Sequence, residues 1–411
     1  MIRVLDRWAV DSRLVFTIVG LSVFGIAMIY SAGAVHIPNP VTDSAWLRQS
    51  LWFGLALVAF TVLVRVPLRW IEWVAIPAYV ISIVLLGITL IIGTGVGTAV
   101  GVRSWIDLGF IGFQPSEIAK LATVLVVARV LSQREAPLTS LKDLLVPAIL
   151  VGLPLGLVML QPDVGTAIAF VGILFAMLYW AGTPVALLLL VASPVIGLFL
   201  SYDTRIWSFY IIALIGFLYL YRYRLFLFES VALVVANFAS ATISRPLWNS
   251  LATYQQNRIL VYLDPEVDPR GAGYQIIQSK VAIGSGGVMG QGFTLGSQKR
   301  YDFLPEQHTD FIFSVVGEEL GFLGAALAIS VFTYVLSRMV HLAEKSADPF
   351  AGLVLLGIFG TWLVHIFVNI GMTVGVLPIT GIPLPFVSYG GTFLFMSWVA
   401  VAVAVRVAHE W

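Results

Sequence analysis

The chain has 411 residues, of which 59% are apolar and only 11% charged, and its mean hydropathy is strongly positive. Soluble domains carry about 25% charged residues, so the composition indicates an integral membrane protein. The formal net charge of +1 argues against nucleic acid as a partner, because a surface that follows phosphates needs clustered excess lysine and arginine. The chain has no cysteine, which excludes disulfide bonds.

Apolar runs of about 17 to 25 residues, the length that crosses a bilayer, recur along the chain and predict about twelve transmembrane helices. They lie at 14–34, 48–64, 72–93, 115–132, 143–160, 164–182, 184–201, 206–221, 225–244, 310–337, 351–376 and 386–407. The first run lacks the small-residue pattern of a cleavage site, so we expect a span and not a signal peptide. The predicted fold is an all-α polytopic membrane protein, one domain over 1–411, with a large polar loop at 245–309.

The distribution of basic residues in the short loops predicts the orientation of the bundle. With the N-terminus inside, the residues that fall on the cytoplasmic side are Arg3, Arg7, Arg13, Arg65, Arg69, Arg134, Lys142, Arg222, Arg224, Arg338, Lys345 and Arg406. The short outer loops hold chiefly Arg103 and Arg205. Both termini are therefore expected in the cytoplasm, and the loop at 245–309 on the outer face.

Two further polar places are expected at that outer face. Glu117 and Lys120 are three residues apart, hence on one helical face and able to pair. Because ion pairs in membrane helices are expensive, the pair is either structural or faces a substrate, and both interpretations stand. Asp163 precedes Val164-Gly165-Thr166 and either caps that helix or faces a site.

Asp268 lies in the outer loop, in a stretch whose two prolines and two glycines restrict the backbone. Acids in such a stretch are most often turn formers or helix caps. The context favours a working site, because three acids fall within five residues and Arg258, Arg270 and Lys280 are near in sequence.

The glycine-rich segment 284–292 lacks the Gly-Lys-Ser/Thr ending of a nucleotide P-loop, so we expect a re-entrant or membrane-surface loop. His308 and His365 are too isolated to form a zinc site. His308 with Glu306 and Asp310 is interpreted as a helix-start cluster.

Several polar residues fall inside predicted spans. Glu318 and Glu319 lie about two turns into one of them, so each needs a partner or a polar cavity. His365 and Asn369 share a helical face and are expected to hydrogen-bond between helices. The proline-rich segment before Ser388 breaks the chain, which is tolerated at membrane depth only where protein or a cavity covers the backbone.

Six segments together resemble the SEDS family (shape, elongation, division and sporulation). They are Arg103–Gly109, Phe113–Lys120, Gln161–Thr166, Asp268–Gln275, Phe303–Phe311 and Pro383–Gly391. Ile276–Ser279 followed by Gly284–Gly287 resembles its rod-elongation, RodA-like branch. The resemblance implies a peptidoglycan glycosyltransferase that polymerises lipid II into a nascent glycan strand on the outer face of the bacterial cytoplasmic membrane. It also implies a class B penicillin-binding transpeptidase and other membrane proteins of the elongation complex as partners.

The resemblance further implies that Asp268 is the catalytic residue, with Glu117, Lys120 and Asp163 around a central cavity. The other candidates for substrate binding or the cavity are Arg103, Arg258, Lys280, His308 and Ser388. No metal site is predicted, and a divalent cation, magnesium or manganese, is left open. The family usually has ten spans, so 184–221 is interpreted as an inserted helix pair.

A mechanism follows from the chemistry of such a substrate. A carboxylate can take the proton of an attacking sugar hydroxyl, and Asp268 is the candidate. Pyrophosphate leaves without protonation if cations meet its charge, so one base suffices. The competing functions are a lipid flippase or transporter, whose essential polar residues would lie near the bilayer midplane, and a noncatalytic scaffold, in which Asp268 could be replaced without loss of polymer.

Overall fold

The computed structural model describes residues 11–35, 44–95, 103–107, 109, 112–220, 227–251, 253–264, 267–268, 271–301 and 303–408. Its long helices are α1 (Ser12–Gly33), α2 (Ala45–Leu63), α3 (Leu68–Ile92), α4 (Pro115–Ser132), α5 (Leu141–Leu160), α6 (Val164–Trp180), α7 (Val185–Leu200), α8 (Thr204–Leu220) and α9 (Leu227–Ser250). They are followed by α10 (Thr253–Leu263), α11 (Ala272–Ser285), α12 (Ser297–Arg300), α13 (Ile312–Lys345), α14 (Pro349–Thr373) and α15 (Gly391–Val407). A short antiparallel pair, β1 (Ile106–Asp107) and β2 (Gly112–Phe113), precedes α4.

The all-α membrane fold predicted from the apolar runs is confirmed, since every predicted run corresponds to a helix. Among the described residues, 7 helices are long and apolar enough to cross a membrane, and four shorter apolar helices accompany them. The number of crossings, the orientation and the boundaries of an inserted pair stay predictions. The basic residues at 3, 7, 222 and 224 lie outside the described residues.

Side-chain contacts show which helix ends meet. The Gln307 amide nitrogen donates to the carbonyl oxygen of Ala32 at 3.0 Å, and the Gln49 amide nitrogen donates to that of Ser388 at 3.1 Å. The end of α1 therefore contacts the segment before α13, and the start of α2 contacts the segment before α15. These two segments are joined where the Tyr389 amide donates to the His308 carbonyl oxygen at 2.9 Å. We call this end of the bundle the site end. At the opposite end, Arg406 of α15 donates to the carbonyl oxygen of Val66 at 2.8 Å.

Helix α14 forms the centre of the bundle and packs against α4, α6, α13 and α15. It approaches α6 most closely where Gly360 meets Gly172, since a Cβ added to Gly360 would lie 2.5 Å from the Gly172 carbonyl oxygen. Helices α7, α8 and α9 pack mainly against one another, and α7 joins them to α6. The predicted inserted pair at 184–221 corresponds to α7 and α8.

The polar loop predicted at 245–309 contains three helices, α10 to α12, and the last turns of α9. Its glycine-rich segment contacts α13 where that helix breaks at Gly321, which has φ 65°. The amide nitrogens of Gln291 and Gly292 donate to the carbonyl oxygens of Glu318 and Glu319, both at 3.0 Å. On the other side of the break, the Phe322 and Leu323 amides donate to the carbonyl oxygens of residues 287 and 288, at 2.9 and 3.2 Å. The segment thus supplies hydrogen-bond partners to a helix whose own ladder is interrupted.

Glu318 and Glu319 have the partners that their depth in the bundle requires. Glu319 forms an ion pair with Lys299, and the Ser31 hydroxyl donates to it at 2.7 Å. Glu318 accepts from the backbone nitrogen of Gln298 at 2.7 Å, at the start of α12. Both glutamates and Lys299 are fully buried, so this polar cluster ties α1, α12 and α13 together at the site end.

We expect Gly290→Ala to destabilise the protein by more than about 2 kcal/mol. Gly290 has φ +82°, and an added Cβ would lie 2.0 Å from the Glu319 carbonyl oxygen. The matched control is Gly284→Ala, where a Cβ meets nothing within 4 Å and where alanine in a helix stabilises by up to about 1 kcal/mol. Thermal unfolding of both variants in detergent measures the difference, and equal melting temperatures would refute the docking role of this segment.

Candidate functional site

A polar cavity of about 200 Å³ opens at the site end. Its walls come from the start of α4, the start of α6, α10 and the two non-helical segments that precede α13 and α15. The charged residues in its lining are Glu117, Asp163, Arg258, Glu306 and Asp310, and the aromatic ones are Trp105, Tyr389 and Phe393. The structure therefore brings Glu117, Asp163 and Arg258, three of the predicted residues, to one cavity.

Lys120 lies beneath this cavity and pairs with Glu117, whose Oε1 is 2.9 Å from Nζ. Its Nζ is also 2.9 Å from Nε2 of His365. The other ring nitrogen, Nδ1 of His365, is 3.0 Å from the carbonyl oxygen of Pro383, which only accepts hydrogen bonds. Nδ1 therefore carries the proton of the neutral ring, and Nε2 accepts from Lys120. All three side chains are buried, and the predicted pairing of Glu117 with Lys120 is present.

Asp163 caps α6, as one of its two interpretations predicted. Its Oδ1 accepts from the Thr166 amide at 3.0 Å, and its Oδ2 accepts from the Thr166 hydroxyl at 2.9 Å. The Gln114 side chain also donates to Oδ2, at 3.4 Å. The cap fixes the carboxylate in the cavity wall, so the capping and site-facing roles coincide.

Sequence reasoning gave Glu306 and Asp310 only a helix-start role, whereas both line the cavity. Asn369 holds their segment, because its side-chain nitrogen donates to the carbonyl oxygens of Asp310 at 2.9 Å and Ile382 at 2.7 Å. Asn369 therefore bonds to two non-helical segments, whereas His365 makes the expected contact between helices, with Lys120 of α4. Burial, and then the negative charge of Glu306, raise the pKa of Asp310 to about 7.

Asp268 lies in the turn before α11 and is not part of the cavity lining. Its Oδ1 accepts from the Gly271 amide at 3.0 Å, and its carbonyl oxygen accepts from the Gly273 amide at 3.0 Å. A Cβ on Gly271 would lie 2.3 Å from Oδ2 of Asp268, so the carboxylate occupies the space that glycine leaves open. Asp268 is therefore a turn former, and the turn holds its carboxylate in place. The nearby Arg270 lies outside the described residues.

The four remaining predicted residues are not part of the cavity lining. Arg103 is exposed, and its backbone nitrogen donates to the Gln161 carbonyl oxygen at 3.3 Å. Lys280 is exposed on α11 and packs over Gly375. The His308 ring packs on Tyr389 with centroids 5.5 Å apart. Ser388 is buried, and its hydroxyl donates to the carbonyl oxygen of Thr309 at 2.6 Å.

The part of the chain that the structure describes contains no group of three or more His, Asp or Glu side chains placed to hold a metal ion. Magnesium is usually held by one or two carboxylates together with substrate phosphates, so a larger group is not required. The divalent cation that the sequence left open therefore stays a prediction, and no step below uses one.

Comparison with known proteins places these features in a family. The sequence model of the FtsW, RodA and SpoVE family, described as cell cycle protein, matches residues 12–228 and 202–411. The chain is 33% identical over 408 residues to the peptidoglycan glycosyltransferase MrdB of Escherichia coli strain K12, covering 98% of this chain and 94% of MrdB. It is 34% identical over 403 residues to stage V sporulation protein E of Bacillus subtilis strain 168, covering 97% of both.

Two solved structures have a similar fold. One, described as structural coordination of polymerization and crosslinking by a peptidoglycan synthase complex, has a TM-score of 0.71 and 30% identity and covers 98% of both chains. The other, the rod shape determining protein RodA of Thermus thermophilus, has a TM-score of 0.64 and 26% identity and covers 98% of this chain and 97% of RodA.

The raised pKa of Asp310 predicts a pH-dependent stability. A carboxyl group whose pKa rises from 3.8 to about 7 on folding binds its proton more tightly when folded, so its contribution to stability is lost as the pH rises through that interval. We expect Asp310→Asn to match the parent in melting temperature at low pH and to exceed it above about pH 8. Arg258→Gln should move the loss to higher pH, because Arg258 lowers this pKa. If the melting temperatures of the parent and of Asp310→Asn differed by the same amount at every pH, the raised pKa of Asp310 would be contradicted.

Removing one partner of the buried Glu117–Lys120 pair should be costly. We expect Glu117→Gln to destabilise the protein by about 3 to 5 kcal/mol, because it leaves a buried cation without its counter-charge. The double variant, with Lys120→Gln added, should recover most of the stability that Glu117→Gln loses. If the double variant also regains full activity, the pair is structural only. If it regains stability without activity, at least one of the two charges acts on the substrate.

Proposed function

The chain belongs to the FtsW, RodA and SpoVE family of cell cycle proteins, and from this we infer that it is a peptidoglycan glycosyltransferase that polymerises lipid II. The observation that carries the proposal is the identity of 33% to MrdB over 98% of this chain, because it spans the whole helical bundle and the cavity. MrdB and stage V sporulation protein E match the chain equally well, so a role in elongation rests on the branch-like motifs at 276–287.

In the proposed reaction, a hydroxyl oxygen of one saccharide attacks C1 of another. The bond from C1 to the pyrophosphate oxygen breaks, and undecaprenyl pyrophosphate leaves with the bonding electrons. The carboxylate of Asp268 accepts the proton of the attacking hydroxyl. Support for this role comes from the resemblance of Asp268–Gln275 to the family, and from the close packing of the Asp268 carboxylate over Gly271, which fixes its position.

The leaving pyrophosphate needs positive charge and not a proton. Arg258 lines the cavity, and Lys120 lies beneath it with its charge held by Glu117. We propose that these two cations meet the pyrophosphate, with Arg103 and Lys280 at the periphery. Protonated Asp310 would reduce the repulsion between the acidic cavity wall and the anion.

The multi-pass bundle supports a place in the bacterial cytoplasmic membrane. We propose that both termini are cytoplasmic and that the site end faces outward, where the nascent strand grows. The fold shared with a peptidoglycan synthase complex that coordinates polymerization and crosslinking supports a transpeptidase of class B as partner. Other membrane proteins of the elongation complex are proposed partners on the strength of the family resemblance alone.

The placement of the cavity favours an enzyme over a transporter. Apart from Arg258 on α10, its charged residues come from helix starts and from the segments that join helices, such as the N-cap Asp163 and the first turn of α4. A transporter places its essential polar groups near the bilayer midplane.

We expect Asp268→Asn to lower the rate of lipid II polymerisation by at least about 100-fold, the contribution of a general base. The amide oxygen of asparagine still accepts the Gly271 hydrogen bond, so this variant removes the base and keeps the turn. Gel analysis of glycan strands from purified protein measures the effect, with and without the transpeptidase partner. The matched control is Asp264→Asn, an exposed acid of the same segment. Equal strand formation by the parent, Asp268→Asn and Asp268→Ala would end the assignment.

Gly271→Ala tests the same carboxylate without altering it. An added Cβ would lie 2.8 Å from Cγ of Asp268, so the carboxylate has to move. We expect a loss of polymerisation of about tenfold or more, since misplacing a reacting group by about 1 Å is costly. The melting temperature should change little because the turn is at the surface. Unchanged activity would show that the position of the Asp268 carboxylate does not matter.

A further inference from the structure

The polar loop contains a long stretch without any charge. Residues 281–298 include no Asp, Glu, Lys or Arg. Large apolar side chains of this stretch are nevertheless exposed, since Val288 is 62%, Met289 76% and Leu295 55% exposed. Exposed apolar side chains in an uncharged stretch are better placed in lipid than in water.

This stretch belongs to a hairpin, residues 272–299, which we call the tip hairpin. Its first limb is α11, which runs beside the start of α13 in the same direction. The hydroxyl oxygens of Ser279 and Ser314 are 2.6 Å apart, and further along a Cβ on Gly286 would lie 2.0 Å from the Gly317 carbonyl oxygen. Because α13 begins at the site end, α11 runs from the site end into the bundle.

The tip hairpin turns where α13 breaks at Gly321. The amides of Phe322 and Leu323 donate to the carbonyl oxygens of residues 287 and 288, at 2.9 and 3.2 Å. These bonds fix the tip at the depth of the break. The side chains of Phe322 and Leu323 are themselves exposed. The tip is therefore continuous with the apolar outer surface of a membrane-spanning helix.

The depth of the tip in a bilayer follows from the lengths of α13 and α1. At the opposite end of the bundle, Arg338 of α13 pairs with Asp11, the N-cap of α1. A span needs about 20 residues, so a hydrocarbon core that begins at Arg338 includes Gly321 near its far boundary. The same count from Asp11 ends at Ser31, whose hydroxyl donates to Glu319. Both helices thus place the tip just inside the hydrocarbon boundary at the site end.

We propose that the tip hairpin is re-entrant, with Val288 and Met289 inserted into the bilayer leaflet at the site end and covered by its lipid. The insertion sets the height of Asp268, because the carbonyl oxygen of Asp268 accepts from the amide of Gly273 in α11 at 3.0 Å. Helix α11 has 14 residues and is about 21 Å long, whereas an interfacial segment inserts by about 5 to 10 Å. Asp268 is therefore held above the hydrocarbon. That this is the level of the reacting saccharide rests on the proposed function.

Spin labelling measures the depth of the tip. The chain has no cysteine, so Met289→Cys gives a single site for a nitroxide label on the full chain, reconstituted in vesicles of phosphatidylglycerol and phosphatidylethanolamine. The matched control is Ile277→Cys, an exposed position of α11 several helical turns nearer to Asp268. Leu327→Cys, at an exposed position of α13 beyond the break, is the reference for lipid.

We expect the label at 289 to collide more often with oxygen, which concentrates in lipid, than with a water-soluble nickel chelate, and to lie about 5 to 10 Å deep. The label at 327 should behave alike, and the label at 277 should show the reverse. A label at 289 that collides mainly with nickel overturns the proposal. A label shielded from both reagents also overturns it, because protein, such as a second copy of the chain, then covers the tip. Val288→Cys replaces Met289→Cys if that variant does not fold.

The effect on Asp268 is measured by lipid II polymerisation in the same vesicles. We expect Met289→Asp, whose charge is costly in lipid, to lower kcat by about tenfold or more, since misplacing a reacting group by about 1 Å is costly. The melting temperature should stay unchanged because Met289 is exposed. Met289→Leu and Ile277→Asp should keep the parent rate.

Two results separate this proposal from the proposed function. Polymerisation by Met289→Asp at the parent rate would refute the role of the tip in setting the height of Asp268. If the parent itself forms no strands, the proposed function fails, and the spin labels still decide whether the hairpin is re-entrant.

Discussion

The site is organised by the cost of holding Lys120 as a cation inside an apolar bundle. An unpaired buried ammonium group is several kcal/mol too expensive to persist, and the structure surrounds Nζ with Glu117, with Nε2 of His365 and with the face of Phe393, whose centroid lies 5.4 Å away. These partners come from α4, α14 and α15. His365 is itself fixed by the Pro383 carbonyl oxygen, so the charge also determines where the segment before α15 runs. The walls of the cavity follow from this arrangement, because Glu117 and Pro383 both line it.

A second constraint is that non-helical backbone inside the bundle needs hydrogen-bond partners. The break of α13 at Gly321 satisfies it with the 287–292 segment, which both donates to and accepts from the interrupted helix. The segment before α15 satisfies it with side chains, where Asn369 donates to Ile382 and the Ser388 hydroxyl accepts from the Leu384 amide at 2.8 Å. Glycine is required at both places, since Gly381 has φ +73° and a Cβ on Gly25 would lie 2.4 Å from the Phe386 carbonyl oxygen.

Local features of the fold and site could be predicted from the sequence, and the pairing of distant polar groups could not. The helix start at Pro115, the cap at Asp163 and the Glu117–Lys120 pair depend on residues within four positions of one another, where helix geometry fixes the distance. The sequence also required a partner for Glu319 but did not name Lys299, because that contact depends on how α12 packs beside α1. Likewise, Glu306 and Asp310 sit in a pattern typical of a helix start, and only the packing of α10 and α14 places them in a cavity.

The size of the cavity bears on why Asp268 lies outside its lining. About 200 Å³ is less than the about 300 Å³ at which ligand sites begin, and the head of lipid II carries two sugars and a peptide. The cavity therefore has room for the pyrophosphate and not for the saccharides, which have to lie at its mouth. Arg258 belongs to the lining and sits on α10, and the segment that carries Asp268 follows directly after that helix. In the proposed reaction, the attacking hydroxyl and the leaving pyrophosphate lie on opposite sides of C1. Cations in the cavity and a base outside its lining would suit that arrangement, with Arg258 meeting the leaving group and Asp268 taking the proton.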